Sequence, residues 1–417
     1  MRGLGCPHQP ARAGQREATM DTEVIVVGAG PAGSTAAREI ASRGHRVLLI
    51  DRAEFPRDKA CGGGVSVKTR ELLPFDLSPV IEHVVTGIIL GNPRTGTVTR
   101  ETGEPMLYMT QRRRLDAFLV DRAREAGVEF LQGQVVRGVE ARPDGTYEVR
   151  MEDHEDHAST HTARVVVAAD GANGIVGHAV GLARPLAHGV ALEGNLPCPD
   201  GIPLWLQGHV AVDVALIPGG YGWLFPKGDH INIGVGGWAD AGPKLRDTLD
   251  SYVRTYGWDP GALRDEAGHQ LPLQPKGMRV AKGGVALVGD AAGMVEPLLG
   301  EGMYGAVASA CALAPVVHRY LNGACADLAE YQQAMERDLR PDLERAGYLA
   351  DILHAWPGPL VWGARRSKRA WWAVAALMST GRMARADGLL SRVADATVRG
   401  LARIARTSLR RRHLITE

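Results

Sequence analysis

The sequence predicts an α/β fold: a discontinuous Rossmann-type domain, a β-rich second domain inserted into it, and a helical C-terminal region. Three observations carry this expectation. Near the N-terminus an apolar strand runs into a glycine turn that opens a helix, Val26-Val27-Gly28-Ala29-Gly30-Pro31-Ala32-Gly33. Strand-like and helix-like segments then alternate and resume near Val285, the pattern of a sheet covered by helices. Between these parts, over about residues 185–275, short apolar runs are punctuated by Gly and Pro and carry Trp205, Trp223, Trp238 and Trp258.

The 417 residues, 45% of them hydrophobic, suffice for a substantial core and two or three structural units. A formal charge of +1 gives no overall attraction to nucleic acid, which is therefore not an expected partner. The five cysteines are odd in number and form no CxxC pair, which argues against a disulfide framework or structural zinc and points to a reducing cytoplasm. His154, His157 and His161 crowd one polar turn, but such turns commonly collect histidines, and no metal is expected. Residues 1–19 are polar, lack the apolar stretch of a secretory signal, and are expected to form a disordered extension, with Met20 as an alternative start. No run reaches the roughly 18 apolar residues of a membrane-spanning helix. A cytoplasmic protein that does not cross the membrane is expected.

The elements follow in order. Residues 23–51 read as one βαβ unit: a strand, the glycine turn, a helix over about 32–43 ended by Gly44, and a strand over 47–50. A glycine-rich loop, Cys61-Gly62-Gly63-Gly64, precedes a helix over 112–126. Strands are expected near 128–139 and 147–151, then a polar turn over 152–161 and a strand at 165–167. A strand at 285–288 and a helix beginning near Gly300 return to the first domain, and the chain beyond about 326 is helical. The resulting division assigns 20–75, 110–180 and 276–325 to the Rossmann-type domain, 76–109 and 181–275 to the second domain, and 326–417 to the helical region.

In the opening turn Gly28 permits the tight bend, Gly30 lets backbone approach a pyrophosphate, and Gly33 lets helix and strand pack closely. Pro31 and Ala32 begin the helix, whose N-terminal N–H groups and dipole favour an anion by roughly 0.3–1 kcal/mol. Asp51, with Arg52 beside it, closes the second strand as the expected acceptor for ribose hydroxyls, and it disfavours a 2′-phosphate.

Two later motifs resemble the FAD-dependent monooxygenases and reductases of the para-hydroxybenzoate hydroxylase type. These are Asp170-Gly171 after the strand at 165–167, and Gly289-Asp290-Ala291-Ala292 after the strand at 285–288. The resemblance implies FAD as cofactor, with Asp290 accepting hydrogen bonds from the ribityl chain. It also implies that Gly300, Gly302 and Met303 direct N–H groups at the flavin N1 and C2 oxygen, where a helix end stabilises anionic reduced flavin. Arg112 resembles the arginine near the cofactor, with Arg113 and Arg114 as neighbouring alternatives, and Val136 is a candidate backbone contact to the adenine.

Within this superfamily, residues 20–340 resemble the geranylgeranyl reductase family. The resemblance is carried by Phe55-Pro56-Arg57-Asp58-Lys59-Ala60-Cys61-Gly62-Gly63-Gly64 and by Tyr221-Gly222-Trp223-Leu224-Phe225-Pro226, which is similar to that family's Tyr-x-Trp-x-Phe-Pro motif. Glycines around Cys61 let the loop approach the isoalloxazine, so Cys61 and Gly62 are expected beside the flavin. Strand alternation turns Tyr221, Trp223 and Phe225 to one face, an aromatic wall suited to an isoprenoid chain. The implied reaction is reduction of isolated carbon–carbon double bonds in a polyprenyl lipid or prenylated quinone. An isolated alkene cannot delocalise charge, so a proton donor is needed; Tyr221, Cys61 and ordered water are each candidates. With no second glycine fingerprint, electrons come from transiently bound NADPH or from a carrier protein such as ferredoxin.

Residues 361–417 hold thirteen Arg or Lys against three acids. Arg392, Arg399, Arg403, Arg406 and Arg410 recur at helical spacing, with Val393, Leu401 and Ile404 on other faces and Trp371-Trp372 upstream. Peripheral contact with an anionic membrane, on its cytoplasmic face, is one reading of that helix; a solvated face covering the core is the other. Two rival functions are a flavin monooxygenase or halogenase of the same fold, and a prenyl-binding escort without redox chemistry.

Overall fold

A computed structural model describes residues 22–92, 96–182, 187–217, 219–273, 277–367 and 389–411. The expected N-terminal extension, Met20, Trp371-Trp372 and the side chains of Arg392 and Val393 fall outside what is described.

The runs Val24–Val27, Val47–Ile50 and Val165–Ala168 are apolar at every position and every residue is buried. Such runs suit parallel strands covered on both faces. They form the centre of a six-stranded sheet, with Val24–Val27 parallel to both of the others; Glu129–Leu131 extends one side, and Val285–Leu287 followed by Ala281–Lys282 the other. Helix Pro31–Ala41 packs against helices Arg112–Glu125 and Met303–Leu321. An antiparallel three-stranded sheet joins the same core through Val136, Val139, Val149 and Met151.

A seven-stranded sheet forms the second layer, in the order Arg264–Leu273, Ala187–Pro197, His230–Trp238, Tyr221–Pro226, His209–Val214, Gly87–Asn92, Gly96–Glu101. One face buries Leu224, Ile231 and Ile233 beneath helix Leu245–Thr255. The alternation expected for the aromatic strand holds: Leu224 enters that core, whereas Tyr221, Trp223 and Phe225 line a cavity on the opposite face. Strands Gly64–Ser66, Leu107–Thr110 and Ile81–Val85 make a small sheet of their own.

Three expectations need correction. The strand expected near 128–139 is two strands in different sheets, Glu129–Leu131 and Val135–Ala141. The second half of the polar turn over 152–161 is strand Ala158–Ala163, paired antiparallel with Tyr147–Glu152. It lies at a sheet edge and exposes Ala158, Ser159 and Thr160, so its sequence carries no apolar alternation. The helix expected from Gly300 starts at Met303, because Gly300 adopts φ +66° and Gly302 forms the N-cap.

The C-terminal region is helical as expected, with Arg340–Ala355, Pro357–Arg366 and Leu389–Arg411. Helix Leu389–Arg411 continues through Gly400 and buries Ala402, Ala405 and Leu409 next to Ala355 and Trp356. Arg406 meets the buried Asp351 at 2.7 Å, while Arg399, Arg403 and Arg410 are exposed beside Leu401 and Ile404. Among the described residues no helix is long and apolar enough to cross a membrane.

Candidate functional site

The glycine turn is compact for a steric reason. Gly28 has φ +99°, and a Cβ there would stand 2.3 Å from the Ala169 carbonyl oxygen; one on Gly33 would stand 1.7 Å from the Gly28 oxygen. No side chain caps the helix at Gly30, and Gly30, Pro31 and Ala32 line the cavity. The first N–H groups of an eleven-residue helix therefore border open space, a cradle that fits a pyrophosphate.

Asp51 is drawn against this turn, its Oδ2 accepting from Ala29 N (2.7 Å) and its Oδ1 from Ala53 N (2.9 Å). The Asp51 carbonyl accepts from Gln134 N at 3.0 Å, which brings the strand bearing Val136 to this end of the sheet. Val136 itself is buried in the core and Arg52 is exposed; neither lines the cavity. Asp170 likewise does not line it: its Oδ2 accepts from Val176 N at 3.0 Å, and burial raises its pKa. Gly171 does line it, whereas Gly289 is buried with its N–H on Ser309 Oγ.

Charged groups on the cofactor side come in pairs. Arg112 clasps Asp116 through Nε (2.8 Å) and Nη2 (2.7 Å), and Arg57 reaches the same carboxylate at 3.0 Å. Burial would lower the pKa of Arg112, but Asp116 outweighs it and raises it. Of the three consecutive arginines only Arg112 lines the cavity; Arg113 pairs with Asp58 and Arg114 with Glu82. Asp290 has Lys59 at 3.6 Å and His269 at 3.5 Å. Burial would raise its pKa, but His269, Lys59 and Arg112 hold it down at about 2. Gly300, Gly302 and Met303 line the cavity beside it.

The Cys61 loop joins the two sides. Cys61 N–H donates to Glu193 Oε1 at 2.5 Å, and its Sγ accepts from Gly63 N at 3.4 Å. The buried Lys227 ammonium donates to the Gly62 carbonyl and, at 2.8 Å, to that of Thr110. Burial draws the pKa of Lys227 down to about 8 against the pull of Cys61 and Glu193. A Cβ on Gly62 would lie 2.7 Å from the Phe225 ring, so the missing side chain lets this loop close onto the aromatic wall.

In that wall, ring centroids are 6.0 Å apart for Tyr221–Trp223 and 6.2 Å for Trp223–Phe225. Trp223 Nε1 donates to Asn232 Oδ1 at 2.8 Å, satisfying the buried indole. The Tyr221 hydroxyl donates to the Leu299 carbonyl, and burial, with the nearby Glu296, raises its pKa. Leu271, Leu273 and Leu298 continue the apolar lining to Trp238 and His354, whose rings meet edge to face at 5.8 Å. Burial pulls the His354 pKa down to about 4 and keeps it neutral. Glu296, also in the lining, is pushed up to about 7 by burial.

Glu193, His269, Glu296 and His354 are cavity residues that sequence reasoning missed. Ala191 and His269 are register partners on neighbouring strands, so Glu193 and His269 meet only through sheet pairing. For Glu296 a local signal existed, since it lies between the Gly289-Asp290 and Gly300-Glu301-Gly302 motifs.

Residues 21–199 match the family described as FAD binding domain. A digeranylgeranylglycerophospholipid reductase of Methanopyrus kandleri is 32% identical over 380 residues, 80% of this chain and 91% of that protein. A menaquinone reductase of Mycolicibacterium smegmatis is 32% identical over 306 residues, 67% of this chain and 72% of its own length. The crystal structure of a geranylgeranyl bacteriochlorophyll reductase-like protein from Thermoplasma acidophilum superposes with a TM-score of 0.75 at 23% identity, covering 86% of this chain and 96% of that one.

Proposed function

The chain belongs to the geranylgeranyl reductase family of FAD-dependent oxidoreductases, and from that premise we propose that it saturates isolated double bonds of a polyprenyl lipid or prenylated quinone. The observation that carries the reading is one cavity with two unlike sides. Paired charges and a helix N-terminus stand on one side, and an aromatic and leucine lining on the other. An unfunctionalised hydrocarbon gains from the second side through burial of apolar surface, at about 25 cal/mol per Å². The relatives named above act on a digeranylgeranyl lipid and on menaquinone, which fits such a chain.

In this reading the turn from Gly28 to Gly33, Asp51, Arg112, Asp290, Gly302 and Met303 hold FAD. When bound and reduced, FAD supplies a hydride to one alkene carbon. Cys61 and Gly62 position the loop between cofactor and substrate, with Lys227 fixing their backbone. Tyr221, Trp223 and Phe225 orient the prenyl chain and exclude water. NADPH or a ferredoxin-like protein supplies the electrons. The exposed Arg399, Arg403 and Arg410 beside Leu401 and Ile404 form a surface for peripheral contact with an anionic membrane; flotation with anionic liposomes tests this, and a protein that stays at the bottom lacks it.

The deciding experiment reduces the purified protein anaerobically, adds polyprenyl diphosphates and prenylated quinones, and weighs the products. A gain of two hydrogens per event is expected. Oxygen incorporation under air, or no change with any prenyl substrate, overturns the reading.

A further inference from the structure

We infer that Glu296 is the general acid that protonates the alkene, an inference that rests on the prenyl-reductase reading. The loop carrying it is closed on itself, Glu296 N donating to Glu301 O at 2.9 Å and Gly300 N to Glu296 O at 2.9 Å. Its carboxyl group is fixed by two backbone donors, Leu298 N on Oε1 at 3.0 Å and Leu299 N on Oε2 at 2.7 Å. The same residue lines the cavity together with Tyr221, Leu298 and Leu299. It thus places a geometrically fixed carboxyl group in the apolar half, where an isolated alkene would lie.

Burial favours a carboxyl that keeps its proton and outweighs the two backbone donors and Lys68, which favour its charged form. Tyr221 faces it from the aromatic strand, and Glu301 from its own loop adds a like charge. Lys68, from helix Val67–Leu72, pairs with Glu301 at 2.9 Å and opposes the rise only in part, and His354, also in the cavity lining, is held neutral by burial. With a pKa near 7, Glu296 is poised to give and regain a proton at neutral pH. The other acids are less suited. Tyr221 spends its hydroxyl on Leu299 and is a weaker acid than free phenol; Asp290 is already ionised. Burial raises the pKa of Glu193 as well, but its Oε1 is occupied by Cys61 N on the loop at the cofactor side, and Lys227 and His269 favour its carboxylate.

The step balances. The alkene π pair forms a new C–H bond with the Glu296 proton, and the O–H pair stays behind on the carboxylate. The other alkene carbon takes the hydride, so the alkene gains two electrons and the reduced cofactor loses two. The carboxylate then recovers a proton from water.

The test compares FAD-loaded wild type with Glu296→Gln and Glu296→Asp. Infrared titration of the oxidised holoproteins should show a carboxyl band that ionises near pH 7 in wild type and is missing from Glu296→Gln. In single turnovers of pre-reduced enzyme, Glu296→Gln should lose about 100-fold or more in prenyl reduction with FAD content unchanged. Its residual rate should lose the fall that wild type shows above pH 7, and Glu296→Asp should retain that fall. A Glu296→Gln enzyme with wild-type rate and pH profile overturns the inference, as does a Glu296→Asp enzyme as slow and as flat in pH as Glu296→Gln. If wild type itself reduces no prenyl substrate, the functional reading fails first and the assignment falls with it.

Discussion

The two sides of the cavity settle charge by opposite means. On the cofactor side nearly every ionised group has a counter-charge within about salt-bridge distance: Arg112 and Arg57 share Asp116, and Lys59 and His269 flank Asp290. On the hydrocarbon side Glu296, Tyr221 and His354 stand among leucines and aromatic rings, and burial drives each toward its neutral form. Pairing preserves fixed charges where a charged cofactor must be recognised. Desolvation removes charge where an alkane-like chain must lie, and it leaves a carboxyl group able to hold a proton at neutral pH.

Changes at the cofactor cradle should have the largest effect. Gly33→Ala forces a Cβ to within 1.7 Å of a backbone oxygen, so purified protein should carry almost no flavin, read as flavin absorbance per chain. Asp116→Ala comes next. It leaves Arg112 and Arg57 without their shared partner and should cost about 3–5 kcal/mol in chemical denaturation, with weaker FAD binding.

Acid–base behaviour separates the carboxyl groups of the two sides by the sign of the pH effect. Glu296 has a folded pKa of about 7 against an ordinary value of 4.5, so the folded state binds the extra proton and stability should fall as pH rises from 4.5 through 7. Asp290 is the reverse: its folded value of about 2 gives stability that is present above 3.8 and lost as pH falls toward 2. His354, neutral down to about pH 4 when folded, should cost stability as pH falls from 6.5 to 4. Each contribution is at most about 3.5 kcal/mol, and Glu296→Gln and His354→Asn should each flatten their own limb in denaturation at stepped pH. Equal curves for the variants and wild type would mean that burial does not control the hydrocarbon side. The smallest effect belongs outside both sides. Arg406→Ala removes the half-exposed partner of the buried Asp351 and should cost about 1–2 kcal/mol, without loss of FAD.

Much of this molecule could be read before its structure was known, and the reason is locality. A dinucleotide turn needs its glycines, strand and helix in one contiguous stretch, so residues 24–51 declare themselves. Central parallel strands must be apolar throughout, and Val165–Ala168 was legible on that ground. Strand Ala158–Ala163 was not, because an exposed edge strand has no need of an apolar pattern.

The aromatic wall was visible in the alternation of Tyr221, Trp223 and Phe225, but what opposes it was not. The tertiary structure alone decided that Arg112, rather than Arg113 or Arg114, enters the cavity, and that His269 comes to Asp290 from a remote strand. It also decided that Glu296 lines the same cavity as Tyr221, Leu298 and Leu299. A side chain's identity is local, whereas its protonation state depends on the water and charges that distant segments remove or supply. The amino-acid sequence therefore determined where the cofactor is cradled, and only the packing of two sheets around one cavity determined which groups there carry charge.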